Sequence, residues 1–247
     1  MANRILLLGA TSTIMRQVAL NLIGKDDRVC LAARNTEELA LIAADLRIRT
    51  GASLVTTHKF DTSDFATHQE LVETAQRELG GLDIVVAGTG ALGDQLKARQ
   101  SLTTIKDIID SNYVGIATTL SVAANIMEQQ GSGCLCVLSS VAGDRGRQSN
   151  YLYGSAKSGM GAFMQGLRNR LAPVGVRVIT VKLGFIDTKM VAGKSGTFLM
   201  ASPEAAGAHI AKRVREGADV VYFPFFWRYI MLIIRNIPEF IFKRMKL

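Results

Sequence analysis

Cysteine, histidine and proline are all scarce in this 247-residue chain, at three, three and four residues. Three cysteines are too few, and too odd a number, for a disulfide framework, so a reducing, cytoplasmic setting is expected. His58, His68 and His209 lie in unrelated segments. With no Cys/His cluster at ligand spacing, no metal site is expected. Four prolines and 23 glycines exclude collagen-like and disordered classes. A long apolar run is missing as well: no uninterrupted stretch of 18 apolar residues occurs, so no spanning helix is expected. Arg4 is followed by only four apolar residues before Gly9, too short for the apolar region of a secretory signal. Acidic residues are outnumbered, 21 against 29 basic, for a formal charge of +8. That balance raises nucleic-acid and membrane readings. From Arg228 to Leu247, however, five cations face one anion, Glu239, and carry half of the excess. The rest is an ordinary mildly basic chain, and no nucleic-acid partner is expected.

What is present is alternation. Short apolar runs end at Leu8, Ala33, Phe60, Ala87, Leu138 and Lys182, separated by stretches such as 36–50, 64–80 and 150–172 with apolar residues at helical spacing. Strands alternating with helices imply a doubly wound parallel α/β sheet of Rossmann type, with helices on both faces. Nearly continuous apolar strands fit a sheet buried on both sides. Residues 1–223 read as one dinucleotide-binding catalytic domain, and 224–247 as an apolar, basic tail.

In such sheets ligands sit beyond the carboxyl ends of the strands. The residues there are Gly9, Thr11, Ser12, Thr13 and Ile14 after the first run, then Arg34, Asp61 and Thr62. Gly88 and Gly90 follow the fourth run, Ser140 the fifth, and Gly184, Ile186 and Thr188 the sixth. Small and hydroxylated, they suit phosphate and nucleotide contacts. Ser140 precedes Tyr153 by thirteen residues, and Tyr153 and Lys157 are four apart, on one helix face. An ammonium beside a phenol favours phenolate, so Tyr153 is expected to have a lowered pKa and to exchange a proton with a carbonyl or alcohol. Ser140 is placed to hydrogen-bond the same oxygen, and Asn112 to complete a proton path with Lys157 through water. A Tyr/Lys pair at this spacing is common on its own; the strand-end serine upstream is what makes it informative.

At these residues the chain resembles the short-chain dehydrogenase/reductase family over nearly its whole length. The resemblance implies hydride transfer between NAD(P)H and a carbonyl, with Asn112, Ser140, Tyr153 and Lys157 as the catalytic tetrad. It also implies that Lys157 holds the nicotinamide ribose, that Ile186 and Thr188 meet the nicotinamide amide, and that the chain forms a homodimer or homotetramer through helices around 112–130 and 153–172. The glycine turn departs from the family pattern: only Gly9 is kept, and Thr13 and Met15 replace the other two glycines. Glycines there admit the pyrophosphate and let the helix pack on the sheet. Thr13 offers a hydroxyl instead, and Met15 is flexible enough for a crowded contact. Arg34, where NAD binders place an acid, suits a 2′-phosphate, so NADP(H) is preferred over NAD(H); a solvated helix-entry residue is the alternative. Asp61 would accept from the adenine amino group, or merely cap the next helix.

Two features bear on substrate. Arg145 and Arg147, between Ser140 and Tyr153, are candidate phosphate ligands or else solvated loop cations, with Asp144 as a partner for either. The tail from Val220 is aromatic, aliphatic and basic, and Trp227 and Tyr229 with flanking cations suit peripheral contact at a membrane interface. The alternative is that it closes the pocket or forms a subunit interface. Within the family, the stretches 90–94, 139–145, 150–157 and 228–238 resemble the decaprenylphosphoryl-2-keto-erythro-pentose reductases. That resemblance implies a lipid-linked keto-sugar supplied by a flavin oxidase partner. A small-ketone, alcohol or 3-oxoacyl oxidoreductase is the nearer alternative, and a non-catalytic nucleotide sensor the more distant one.

Overall fold

The computed structural model describes residues 2–188 and 199–245. The apolar runs form strands β1 (Arg4–Leu8), β2 (Arg28–Ala33), β3 (Leu54–Lys59), β4 (Ile84–Ala87), β5 (Gly133–Ser140) and β6 (Val176–Leu183), and β7 is Val220–Phe223. They build one seven-stranded sheet in the order β3-β2-β1-β4-β5-β6-β7, with every pairing parallel. Strand β7 corrects the reading of Val220 as the start of the tail. Its four residues pair with β6, Thr180 opposite Val220 and Leu183 opposite Phe223.

Strand side chains alternate between faces. Ile5 and Leu7 enter one apolar core, Leu6 and Leu8 the other. The first core is closed by α1 (Thr13–Leu22), α2 (Thr36–Thr50) and, from later in the chain, the helix Pro203–Glu216. The second is closed by α3 (His68–Leu79) and the long helices Gly115–Gln130 and Tyr151–Leu171. Two short helices, α4 (Gln95–Ala98) and α5 (Leu102–Ile109), precede α6 (Gly115–Gln130), α7 (Tyr151–Leu171) and α8 (Pro203–Glu216). Edge strand β3 has one buried residue, Val55, and its later residues Thr57 and Lys59 are exposed, as suits an edge strand. Sequence signals mark the helix ends: the Asn35 side chain accepts from Glu38 N at 3.1 Å, and Gly51 closes α2 in the left-handed conformation.

The strand order reverses between β1 and β4. Leu8 lies opposite both Ala32 and Ala87, so Gly9 and Gly88 emerge side by side at the carboxyl edge. Beyond β7 the chain forms α9 (Trp227–Asn236) and α10 (Glu239–Phe242). Trp227 and Met231 are buried in a cluster with Val141, joined by Phe185 and Tyr222. The tail is therefore packed on the edge that carries Ser140. Among the described residues no helix is long and apolar enough to cross a membrane.

Candidate active site

Ser140 is the last residue of β5, and its hydroxyl is fixed from two sides. It accepts from Ala142 N at 3.1 Å and donates to Leu183 O at 3.4 Å. Tyr153 and Lys157 sit one turn apart near the start of α7, both buried. The Lys157 ammonium lies over the Tyr153 ring, 5.6 Å from its centroid, and 3.4 Å from Leu138 O. Asn112 lies in a π-helical turn, Asp110–Val114, between α5 and α6. Such a turn inserts an extra residue and re-aims its neighbours, often at functional sites. Here it buries the carboxamide completely. Nδ2 donates to Ala91 O (2.7 Å) and Ile108 O (2.9 Å), which leaves Oδ1 buried with no partner.

Gly90 joins these groups. Its φ is +151°, and a Cβ there would stand 2.6 Å from Asn112 Oδ1 and 3.2 Å from Lys157 Nζ. The orphaned acceptor and the ammonium thus face the same stretch of backbone. A buried acceptor without a donor is rare and costly, and marks a place for a further polar group.

The electrostatics differ from expectation on one point. Burial raises the Tyr153 phenol above its ordinary value, with the Ser140 side chain pulling the other way as hydrogen-bond partner. The expected lowering by lysine is not found. The physical reason is desolvation of both groups, with the ammonium over the ring face. Burial itself lowers Lys157 to about 8, so its charge is poised near neutral pH.

The residues assigned to a dinucleotide line the carboxyl edge. Gly9 turns the chain at φ +82°, and Ser12 begins α1 with no hydrogen bond from its own side chain to the helix. Thr11, Ser12 and Ile14 are half-buried, and Thr13 is exposed. Met15 points away, fully buried, into the space that a side chain at Gly88 would need. The glycine lost from the helix is therefore matched by a glycine on the facing strand end, and neither Thr13 nor Met15 blocks the turn. Arg34 is exposed at the end of β2. The Asp61 carboxylate accepts from Ser63 Oγ (2.6 Å) and Ser63 N (3.0 Å), which lowers its pKa, with Arg34 and Lys59 adding smaller attractions. Thr62 is buried, its carbonyl in tight contact with Gly115. Gly184 lies under the Trp227 indole, leaving no room for a side chain. Ile186 is buried, and Thr188 Oγ1 lies 3.4 Å from Ile186 O. An exposed helix start, a positive-φ glycine and an exposed cation at the β2 end fit a dinucleotide.

The two loop arginines separate. Arg145 donates to Arg235 O (2.9 Å) and Glu239 Oε2 (2.7 Å), and stacks 4.2 Å from the Phe242 ring centroid. Arg145 is thus engaged with the tail, by a carbonyl, a carboxylate and a ring. Asp144 pairs with neither arginine. It takes Lys182 and the Tyr222 hydroxyl (2.8 Å), tying the loop to β6 and β7. Arg147 has no side-chain hydrogen bond to any described residue, and its Nε is buried. Trp227, read as an interfacial residue, is instead 6% exposed and packs against Phe185, ring centroids 5.4 Å apart, with its Nε1 unpartnered. Tyr229 is the outward one, at 61%. Sequence reasoning gave no role to the Leu138 and Ala91 carbonyls, since backbone acceptors carry no residue signature. Trp227 is the only tryptophan in the chain, a signal that it packs somewhere large.

Comparison with known proteins agrees with this geometry. The short chain dehydrogenase family profile matches residues 3–197. An uncharacterized oxidoreductase of Mycobacterium tuberculosis is 36% identical over 241 residues, covering 98% of this chain and 96% of that protein. The chain belongs to the short chain dehydrogenase family, and is an NAD(P)-dependent oxidoreductase acting between CH–OH and C=O groups. The fold is shared with an alcohol dehydrogenase from Thermococcus sibiricus complexed with 5-hydroxy-NADP (TM-score 0.77, 22% identity, 89% of this chain and 94% of that one). It is shared also with actinorhodin polyketide ketoreductase with NADPH (TM-score 0.79, 21% identity, 92% and 99%).

Proposed function

We propose that the protein is an NADP(H)-dependent reductase of a small ketone, or oxidoreductase of the corresponding alcohol, with Ser140, Tyr153, Lys157 and Asn112 as its working groups. The observation that carries this reading is the convergence of the last two on Gly90, beside the Tyr153 ring. Arg34 at the β2 end supports the 2′-phosphate form, as do the NADP-type ligands of the two structural neighbours. Gly9, Thr11, Ser12, Thr13 and Ile14 would hold the pyrophosphate, Asp61 and Thr62 the adenine side, and Lys157, Gly88, Gly90, Gly184, Ile186 and Thr188 the nicotinamide side. When bound, the dinucleotide supplies the hydride.

The chain's own residues handle the proton. Ser140 Oγ and the Tyr153 hydroxyl together grip the ketone oxygen. A phenol kept protonated by burial is a hydrogen-bond donor at neutral pH, and it gives up its proton as negative charge develops on that oxygen. Lys157 and Asn112 return the proton through water, for which an ammonium near its titration point and an unpartnered amide oxygen are suited. The test is Tyr153→Phe: NADPH binding stays and ketone turnover falls by at least about a hundredfold, the usual scale of general-acid loss. Unchanged turnover overturns the assignment.

A second reading is favoured by the outer face of the tail. Phe225, Leu232, Ile233 and Phe240 are 59–72% exposed, with Arg228, Arg235, Lys243 and Arg244 around them. Apolar residues ringed by cations suit an anionic membrane surface. On this reading the protein is peripheral to a membrane. Its ketone is a keto-sugar on a polyprenyl phosphate, delivered by a flavin oxidase, and the chain pairs through α6 and α7. Leu232→Asp with Ile233→Asp abolishes co-sedimentation with anionic vesicles if this holds; equal sedimentation of the variant and the original removes it.

A further inference from the structure

The loop between Ser140 and Tyr153 and the end of the tail border a half-open cavity of about 360 Å³. Arg147, Lys243 and Arg244 line it, with one carboxylate, Glu239. That carboxylate is already bound to Arg145, at 2.7 Å. Arg145 also takes the Arg235 carbonyl and stacks on Phe242, so the walls of the cavity are fastened to each other. Three cations are left with no anion of their own among the described residues. Arg147 is the most exposed to this cost: its Nε is buried without a partner, and burial lowers its pKa. An arginine whose Nε is out of water with nothing to donate to is unfavourable by itself, and it is stabilised by an oxyanion that the fork can grip.

The position relates this cavity to the reaction. Arg147 lies seven residues after Ser140 and six before Tyr153 in the same loop. Phe242 and Met245 add an apolar wall beside the cations. The volume exceeds that of a lone oxyanion, so part of an attached group fits with it.

We propose that this cavity is a phosphoryl-binding subsite, with Arg147 as its principal ligand and Lys243 and Arg244 as flanking charges, and that it takes the phosphate ester of the ketone substrate. The assignment of the phosphate to a substrate rests on the reductase reading; the anion site itself does not. Arg145 is the clamp that holds the tail in place for it. Specificity then resides in the tail as much as in the sheet edge, because two of the three cations belong to it.

The experiment is calorimetric titration of the full chain with inorganic phosphate in the presence of NADPH, comparing the original protein with Arg147→Gln and Lys243→Gln/Arg244→Gln. The expected result is about tenfold or more weaker phosphate binding in Arg147→Gln, the scale of a lost charge-assisted hydrogen bond, and a smaller loss in the exposed pair. Undiminished phosphate binding in Arg147→Gln overturns the site. If Arg147→Gln unfolds, the pair of exposed variants decides: unaltered phosphate affinity there overturns it equally. A second arm measures kcat/KM for a phosphorylated ketone against its unphosphorylated counterpart. A preference in the original protein that shrinks in Arg147→Gln places the subsite on the substrate. If neither ketone is turned over while Arg147-dependent phosphate binding persists, the reductase reading fails and the anion site stands. A third arm distinguishes the source of the phosphate. Phosphatidylcholine vesicles containing phosphatidic acid, bound through Arg147 beyond plain phosphatidylcholine, identify a lipid phosphate; equal binding of both identifies a water-soluble ester.

Discussion

Met15 on α1 fills the space that a side chain at Gly88 would occupy at the end of β4. The family resemblance puts a glycine at position 15 of the helix; here the glycine of this contact stands on the strand end, at Gly88, against Met15. Gly88→Ala therefore forces a methyl against a buried thioether and destabilises by about 1–3 kcal/mol. Met15→Gly, which restores a glycine to the turn, destabilises by roughly 2–5 kcal/mol through the cavity it leaves, plus the helix cost of glycine. Combined, Gly88→Ala and Met15→Ala cost less than their sum, because the second relieves the first. Urea denaturation of Gly88→Ala, Met15→Ala, Met15→Gly and the double variant checks it.

Lys157 makes stability depend on pH. Burial lowers its pKa from 10.5 to about 8 in the folded chain. The unfolded chain then binds the extra proton between about pH 8 and the unfolded value, so stability rises with pH across that window, and the penalty is fully present below it. Lys157→Met removes that penalty. The variant is more stable than the original at pH 7, by at most about 3 kcal/mol from the linkage of the shift, and the difference closes toward pH 10. Thermal denaturation at several pH values without dinucleotide is the measurement, and a constant difference contradicts it.

Arg34 decides between dinucleotides. Arg34→Ala weakens NADPH by about ten- to a hundredfold, the range for a charge-assisted contact with phosphate, and leaves NADH within a few-fold. Fluorescence titration of both cofactors reads the ratio, and equal losses mean that Arg34 does not recognise the phosphate.

Gly90 keeps the proton path open. Gly90→Ala drives a methyl toward the Asn112 amide oxygen and the Lys157 ammonium, at a φ of +151° that alanine rarely adopts. Turnover falls steeply while the melting temperature drops by only a few degrees, the scale of about 1 kcal/mol in a chain of this size. A loss of stability with normal turnover would place Gly90 outside the path.

Arg145 anchors the tail. Arg145→Ala removes two hydrogen bonds and the stacking on Phe242 together. Limited proteolysis then cuts beyond Trp227 faster than in the original chain, with the sheet intact. Unchanged cleavage shows that the Trp227 and Met231 contacts hold the tail alone.

The sheet was legible because its strands are buried on both faces, and a strand of that kind reads as an apolar run whatever surrounds it. Thr36–Thr50 was legible to its last residue, since Asn35 and Gly51 cap it. Strand β7 was not, because Val220–Phe223 continues without a break into an apolar tail, and nothing local separates four paired residues from unpaired ones. The tetrad positions were visible as residue types at family spacing. The role of Arg145 was not visible, since Glu239 and the Arg235 carbonyl lie some ninety residues away in the chain.

The alternation of strands with helices, the two buried faces of the sheet and the identity of the polar residues at its edge were set by the sequence alone, through periodicity and spacing. Which cation is paired, which way Trp227 turns, and how the Tyr153 phenol titrates were decided only in three dimensions. Charge and hydrogen-bond partners depend on distances between segments remote in the chain, and desolvation depends on everything packed around a group. The balance between burial and charge at Tyr153 and Lys157 is a property of that packing, and no reading of the residues in order contains it.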